Sequence, residues 1–243
     1  MKKITFALFL LLFCVFVALP ALATEPQRGQ AYARMDVNKA ACLLVDHQTG
    51  LFSLVQDFEP AEFKNNVLAT AAVAKFFKLP TVLSTSLEGG PNGPLLPEIR
   101  EMHADAPIVH RPGQINAWDN EEFVEAVKKT GRSQLIVAGI VTDVCVAHVA
   151  LSAVEAGYDV FVVVDASGTF NAAVRDASWA RMTANGVQLV NWFSVACELQ
   201  RDWRNDMEGL AGLLARYMPA YGNLITSHGH AQDTGVRLGT DGK

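Results

Sequence analysis

The stretch Gln134-Leu-Ile-Val-Ala-Gly139-Ile-Val-Thr142-Asp-Val-Cys145-Val-Ala-His148-Val-Ala-Leu151 decides the fold. An apolar run of strand type ends at Gly139, and apolar residues at helical spacing begin beside Asp143. The junction places a thiol in the first turn of a helix, where unpaired backbone N–H groups and the positive end of the helix dipole favour an anion. Two readings of Cys145 stand on this segment alone. One is a small buried hydrophobe, the commonest role of a free cysteine; the other is a nucleophilic thiolate.

Outward from this junction, apolar strand patterns and helical patterns alternate along the chain, the sequence sign of an α/β fold. Strands are predicted near Ala40–Val45, Thr81–Thr85, Ile108–His110, Gln134–Ile140, Asp159–Asp165 and Gln188–Phe193. Helices are predicted over Pro60–Lys78, Asn120–Lys129, Asp143–Ala156, Asn171–Asn185 and Cys197–Tyr217. The strands are rich in Val, Leu and Ile, as strands covered on both faces are. The expected architecture is three-layer α/β/α around a central, mainly parallel six-stranded sheet of Rossmann-like type. Between the second and third strands, Ser86-Leu-Glu-Gly-Gly-Pro-Asn-Gly-Pro-Leu-Leu-Pro97 is too rich in Gly and Pro for a regular element and reads as a rim loop.

Two further strand ends carry charge. The first strand ends in Val45-Asp46-His47-Gln48, and the third in Val109-His-Arg111-Pro-Gly. Ligands of open parallel sheets bind outside the carboxyl ends of the strands, so Asp46, Arg111 and Cys145 can converge on one pocket. Val45-Asp46-His47-Gln48 and Gly139-Ile-Val-Thr142-Asp-Val-Cys145-Val146 resemble the V-D-x-Q and G-x-x-T-x-x-C-V motifs of the isochorismatase-like hydrolases, also called the cysteine hydrolase family. The likeness runs from about Asp36 to about Tyr221. Arg111-Pro-Gly-Gln-Ile-Asn116-Ala-Trp118-Asp-Asn120 and Cys197-Glu-Leu-Gln-Arg-Asp-Trp203-Arg-Asn-Asp206 are similar to its bacterial YcaC-like subgroup of uncharacterised hydrolases.

The resemblance implies a catalytic set of Asp46, Arg111 and Cys145, with Asp46 as the general base that takes the thiol proton and later activates water. Where the wider family usually has Lys this chain has Arg111, which stays charged and cannot shuttle a proton; a fixed cation there favours the charged forms of carboxylate and thiol. The resemblance also implies an oxyanion hole from the backbone N–H groups of Val141 and Cys145, with a cis peptide between Ile140 and Val141. Gln48, Asn116 and Trp118 are expected at the substrate-binding rim, Trp118 alternatively at an oligomer contact. His148 is three residues after Cys145, but the family base is Asp46, and His47 should face away from the pocket. The metal-binding Asp and His cluster of nicotinamidases is missing near Glu88, so neither metal nor cofactor is expected.

Met1-Lys-Lys through Ala21-Leu22-Ala23 reads as a secretory signal peptide cut after Ala23. A linker over residues 24–35, a hydrolase domain over 36–221 and a flexible tail over 222–243 follow; the tail holds Ser227-His-Gly-His230, read as flexible rather than metal-binding. The expected site of action is periplasmic or secreted, with no membrane contact after cleavage. The formal charge of −5, more negative still once Lys2 and Lys3 are removed, argues against nucleic acid and anionic lipid. Past Cys14, the odd set Cys42, Cys145 and Cys197 leaves at least one free thiol. Cys42 reads as core, and Cys197 as a structural residue opening the last helix. These features together predict a cysteine-dependent hydrolase of a small amide or related C–N substrate, assembled as a homo-oligomer. The alternative is a redox-responsive thiol scaffold of the same fold.

Overall fold

A computed structural model describes residues 32–233. The expected signal peptide and most of the expected linker lie outside the described residues. Six strands, β1 (Ala40–Val45), β2 (Thr81–Ser86), β3 (Ile108–Arg111), β4 (Gln134–Gly139), β5 (Asp159–Val163) and β6 (Gln188–Val190), form one sheet in the order β3-β2-β1-β4-β5-β6. Every pairing is parallel. The strand order reverses between β1 and β4, and in open parallel sheets ligands bind at such a switch point, outside the carboxyl ends of the strands.

The helices are α1 (Pro60–Phe76), α2 (Pro97–Met102), α3 (Glu121–Lys129), α4 (Ala147–Glu155), α5 (Ala172–Ala184), α6 (Trp192–Gln200), α7 (Met207–Tyr217) and α8 (Pro219–Asp233). Alternation along β1 shows why two helical layers are needed. Ala40, Cys42 and Leu44 belong to the core shared with Val67 and Ala71 of α1, Val195 of α6 and Leu210 of α7. Ala41, Leu43 and Val45 belong to the opposite core, with Phe123 of α3, Val149 of α4 and Met182 of α5. All six side chains are buried, as a central strand covered on both faces requires.

Helix starts follow their caps. Asn120, Asn171 and Asn191 each accept the backbone N–H three residues on, which satisfies one orphan donor and fixes the first turn. The Asn191 cap is why the strand predicted to reach Phe193 stops at Val190: Trp192 already starts α6.

Three expectations are corrected. The helix predicted over Cys197–Tyr217 is two, because Arg201 takes a positive φ of 68° and Asp206, itself at φ 40°, caps a new start at α7. Cys197 therefore lies deep in α6 and does not open a helix. The tail predicted as flexible from residue 222 is helical through Asp233. Pro219 supplies a pre-set first turn, and Tyr221 meets Phe193 and Trp203 with ring centroids 6.2 Å away in both cases, contacts that offset the helix-weakening Gly222 and Gly229.

Candidate active site

The chain emerges from β1 at Asp46, which has a left-handed backbone (φ 58°) and is fully buried. Aspartate tolerates that conformation better than most residues. Its Oδ1 accepts the Ser84 hydroxyl of β2 at 3.0 Å, its backbone N–H bonds to the Ser84 carbonyl, and its Oδ2 is paired with Arg111 Nη2. Arg111, at the end of β3, is also buried; its Nη1 donates to the carbonyls of Gln114 and Ile115. A buried ion pair is tolerated only when hydrogen bonds satisfy most of what the pair leaves over; these carbonyls and Ser84 do so except at Arg111 Nε, which is buried without a partner.

After β4 the chain makes one π-helical turn, Thr142–Val146, before α4 begins. Gly139 is required at this exit because a Cβ would stand 2.2 Å from the Val45 carbonyl oxygen. The peptide between Ile140 and Val141 is cis. Cys145 is half-buried in the π turn, close enough to the Asp46 carboxylate and the Val141 amide for both to act on its thiol. The three side chains taken from three strand ends in the sequence are therefore brought together, Arg111 paired with Asp46 and Asp46 beside Cys145.

The electrostatics differ from the expected low-pKa thiol. Burial pushes the Cys145 thiol up to about 12, and the neighbouring Asp46 charge pushes the same way; the Val141 amide and Arg111 pull down but do not win. The resting group is thus a thiol aimed at a base, and the dipole argument fails because a desolvated anion beside a carboxylate costs more than one helix end returns.

Of the residues expected at the rim, Gln48 is buried, while Asn116 and Trp118 are half-buried. Gln48 is fully buried: its amide donates to the carbonyls of Ser86 and Gly93, and its oxygen accepts the Ser86 N–H at 2.7 Å. It braces the Gly- and Pro-rich loop, with its amide fully engaged there. Asn116 bonds its own turn at Trp118 and the Ser152 hydroxyl of α4, and Trp118 packs edge-on against Phe123 and Tyr158 in a helical layer. Both support the Arg111 loop from outside. His47 points away, its ring bonded to the Ala166 carbonyl, and burial lowers its pKa to about 4. His148 is half-buried on α4. Ser84 went unnoticed in the sequence, although a polar Ser-Thr-Ser run inside a buried strand was a usable signal. Among the described residues no group of three or more His, Cys, Asp or Glu side chains could hold a metal ion.

Residues 40–193, which span the sheet, the two charged strand ends and the turn that carries Cys145, match the Isochorismatase domain. The chain belongs to the isochorismatase family. It is 62% identical over 197 residues to the probable hydrolase YcaC of Escherichia coli K12, covering 81% of this chain and 95% of that one. The E. coli YcaC structure, described as an octameric hydrolase of unknown specificity, superposes with a TM-score of 0.82 over 83% of this chain and 98% of the other. YcaC from Pseudomonas aeruginosa, solved with hexane-2,5-diol and covalent acrylamide, is 67% identical with a TM-score of 0.81, over 82% of this chain and 99% of the other. The chain is accordingly a hydrolase of the isochorismatase-like fold, its substrate unassigned.

Proposed function

We propose that this isochorismatase-family hydrolase cleaves a small amide or related C–N bond through a covalent intermediate on Cys145. The observation that carries the reading is the buried Arg111–Asp46 pair lying close enough to Cys145 to act on its thiol, so that a carboxylate is at hand to accept its proton. As sulfur attacks the carbonyl carbon, the thiol proton passes to Asp46, so no free thiolate need accumulate despite the raised pKa. The carbonyl oxygen gains the negative charge, and the amides of Val141 and Cys145 are the donors assigned to it. Collapse breaks the C–N bond, and Asp46 returns the proton to the leaving nitrogen. Water then adds to the thioester with Asp46 again as base, releasing the carboxylic acid and restoring the thiol. Arg111 balances the charge of Asp46 and fixes its orientation throughout.

The acrylamide bound covalently to the P. aeruginosa relative supports a reactive nucleophile in a close homologue. The octameric state of the E. coli relative supports a homo-oligomer here. The amino-terminal segment supports export to the periplasm or beyond. A redox-responsive scaffold is the weaker reading, since oxidation follows thiolate character and burial works against it here.

Turnover of a panel of amides, carbamoyl amino acids and nitriles by wild type and Cys145→Ala, with mass spectrometry of the trapped adduct, tests the proposal. An acyl group on Cys145 in wild type and no turnover by the variant are expected. Equal turnover by the variant would refute the nucleophile.

A further inference from the structure

The segment that leaves β5, Ser167-Gly168-Thr169, runs alongside the exit from β4 and is bonded to it at four successive places. The Ser167 hydroxyl accepts the Gly139 N–H at 3.3 Å, and Gly168 pairs with Ile140 as an isolated parallel bridge. The Gly168 carbonyl accepts the Thr142 N–H at 3.0 Å, and the Thr169 hydroxyl donates to Asp143 Oδ1 at 2.6 Å. Asp143 is two residues before Cys145, inside the same π turn. These contacts span the residues that present the Val141 amide and the thiol.

The strap is itself anchored. Thr169 donates its N–H to Asp57 Oδ1 at 2.8 Å, and its carbonyl accepts the N–H of Gln56 at 2.8 Å. Gly168 has no room for a side chain, because a Cβ would stand 2.4 Å from Val55 Cγ1. Ser167 and Thr169 are fully buried. One residue earlier, the Ala166 carbonyl holds the ring of His47, the chain neighbour of Asp46. The same short segment therefore touches the backbone supporting both the base and the nucleophile. The bond from Thr169 to Asp143 is its one hydroxyl-to-carboxylate contact, and bonds to an ionised acceptor are the strong ones.

We propose that Thr169 is a positioning residue for Cys145: its hydroxyl, by holding Asp143, fixes the π turn in which the thiol meets Asp46. This rests on the reading of Cys145 as the nucleophile. Without the bond, the turn gains freedom to settle toward regular helix, and the sulfur moves relative to its base. A displacement of about 1 Å at reacting atoms can cost up to about a hundredfold in rate.

The test is alkylation of the full chain by iodoacetamide, followed at Cys145 by mass spectrometry across a pH series, with thermal unfolding measured in parallel. Thr169→Val, which keeps the shape and removes the hydroxyl, should slow Cys145 alkylation by about tenfold or more at fixed pH and shift its pH profile. Thr169→Ser should restore the rate to within about threefold and the wild-type profile. A Thr169→Val variant that alkylates at the wild-type rate would overturn the proposal, as would a Thr169→Ser variant as slow as Thr169→Val. Should Thr169→Val not fold, Asp143→Ala opens the same bond from its more exposed end; it should show the same slowing, and a wild-type rate there overturns the proposal equally. Wild-type protein labelled at Cys42 or Cys197 and not at Cys145 would sink the nucleophile along with its positioning residue, whereas labelling at Cys145 indifferent to position 169 sinks only the latter.

Discussion

Cys42, inside β1, and Cys145, in the turn after β4, have thiols pushed up to the same value, about 12, yet for different reasons. Cys42 is raised by burial alone. Cys145 is raised by burial and by a neighbouring carboxylate, while a backbone amide and a guanidinium pull against both. The size of the shift therefore does not tell the two thiols apart; the presence of opposing causes does. A group held between a base, a donor and a cation sits where charge is meant to move, and a group raised by burial alone is only inside.

The sharpest way to break that comparison is to exchange the two positions' fates. Cys145→Ala should abolish turnover, and Asp46→Asn should lower it by roughly a hundredfold or more, the usual cost of losing a general base. Cys42→Ala should leave kcat unchanged and cost about 1–2 kcal/mol of stability in a denaturant titration, the effect of a small core truncation. Activity lost on changing Cys42 and kept on changing Cys145 would reverse the assignment.

Next in size is the charge behind the base. Arg111→Met leaves Asp46 buried without its ion-pair partner, and the expected loss is about 3–5 kcal/mol of stability. Its alkylation profile should move to higher pH, since Arg111 is one of the two groups lowering the Cys145 pKa. Arg111→Lys keeps the charge but not the fork that reaches Asp46 and two carbonyls together, so it should fall between Met and wild type on both readouts. Coincident profiles for Met and wild type would reduce Arg111 to packing.

How much of this was legible in the sequence follows from which contacts are local. The six strands and the pairing of Asp46, Arg111 and Cys145 could be anticipated, because strand periodicity and strand-end chemistry are written within single segments. The thiol's direction of shift could not, since it depends on how deeply the turn is desolvated. Gln48 was expected at the rim; it is instead consumed by Ser86 and Gly93, contacts 38 and 45 residues away in the chain that no spacing encodes. The helix α8 was hidden for the same reason: its glycines argue against helix locally, and only Phe193 and Trp203 make its docking visible.

A smaller effect separates two other buried groups near the strand ends. His47 has its pKa lowered from 6.5 to about 4 by burial. Between those values the unfolded chain binds more protons, so this residue's contribution to stability rises with pH and is lost on acidification. Asp165 has its pKa raised from 3.8 to about 6, chiefly by burial, with the Trp192 amide pulling down. Between those values the folded chain binds more protons, so its contribution falls as pH rises. Each is worth on the order of 2–3 kcal/mol across its window, and they oppose one another. Relative to wild type, His47→Gln should make stability decline more from pH 4 to 6, and Asp165→Asn should make it climb more. Urea unfolding at pH 4, 5 and 6 reads both; slopes changing in the same direction would show that one environment is misassigned.

The smallest expected effect belongs to Cys197, and it tests whether a helix position alone can make a nucleophile. Its sequence setting imitates that of Cys145, a thiol following an apolar strand near a helix start. The structure removes the imitation: Asn191 caps α6 and Trp192 begins it, so Cys197 lies beyond the first turn, where the dipole no longer favours an anion. Burial raises its pKa, and nothing else acts on it. Cys197→Ala should therefore leave turnover and the rate of Cys145 alkylation within about twofold of wild type, and shift stability by no more than about 1 kcal/mol. If it instead slowed turnover as much as Asp46→Asn does, a second thiol would have to enter the chemistry, and opposing causes around a sulfur would no longer distinguish the reactive cysteine from the others.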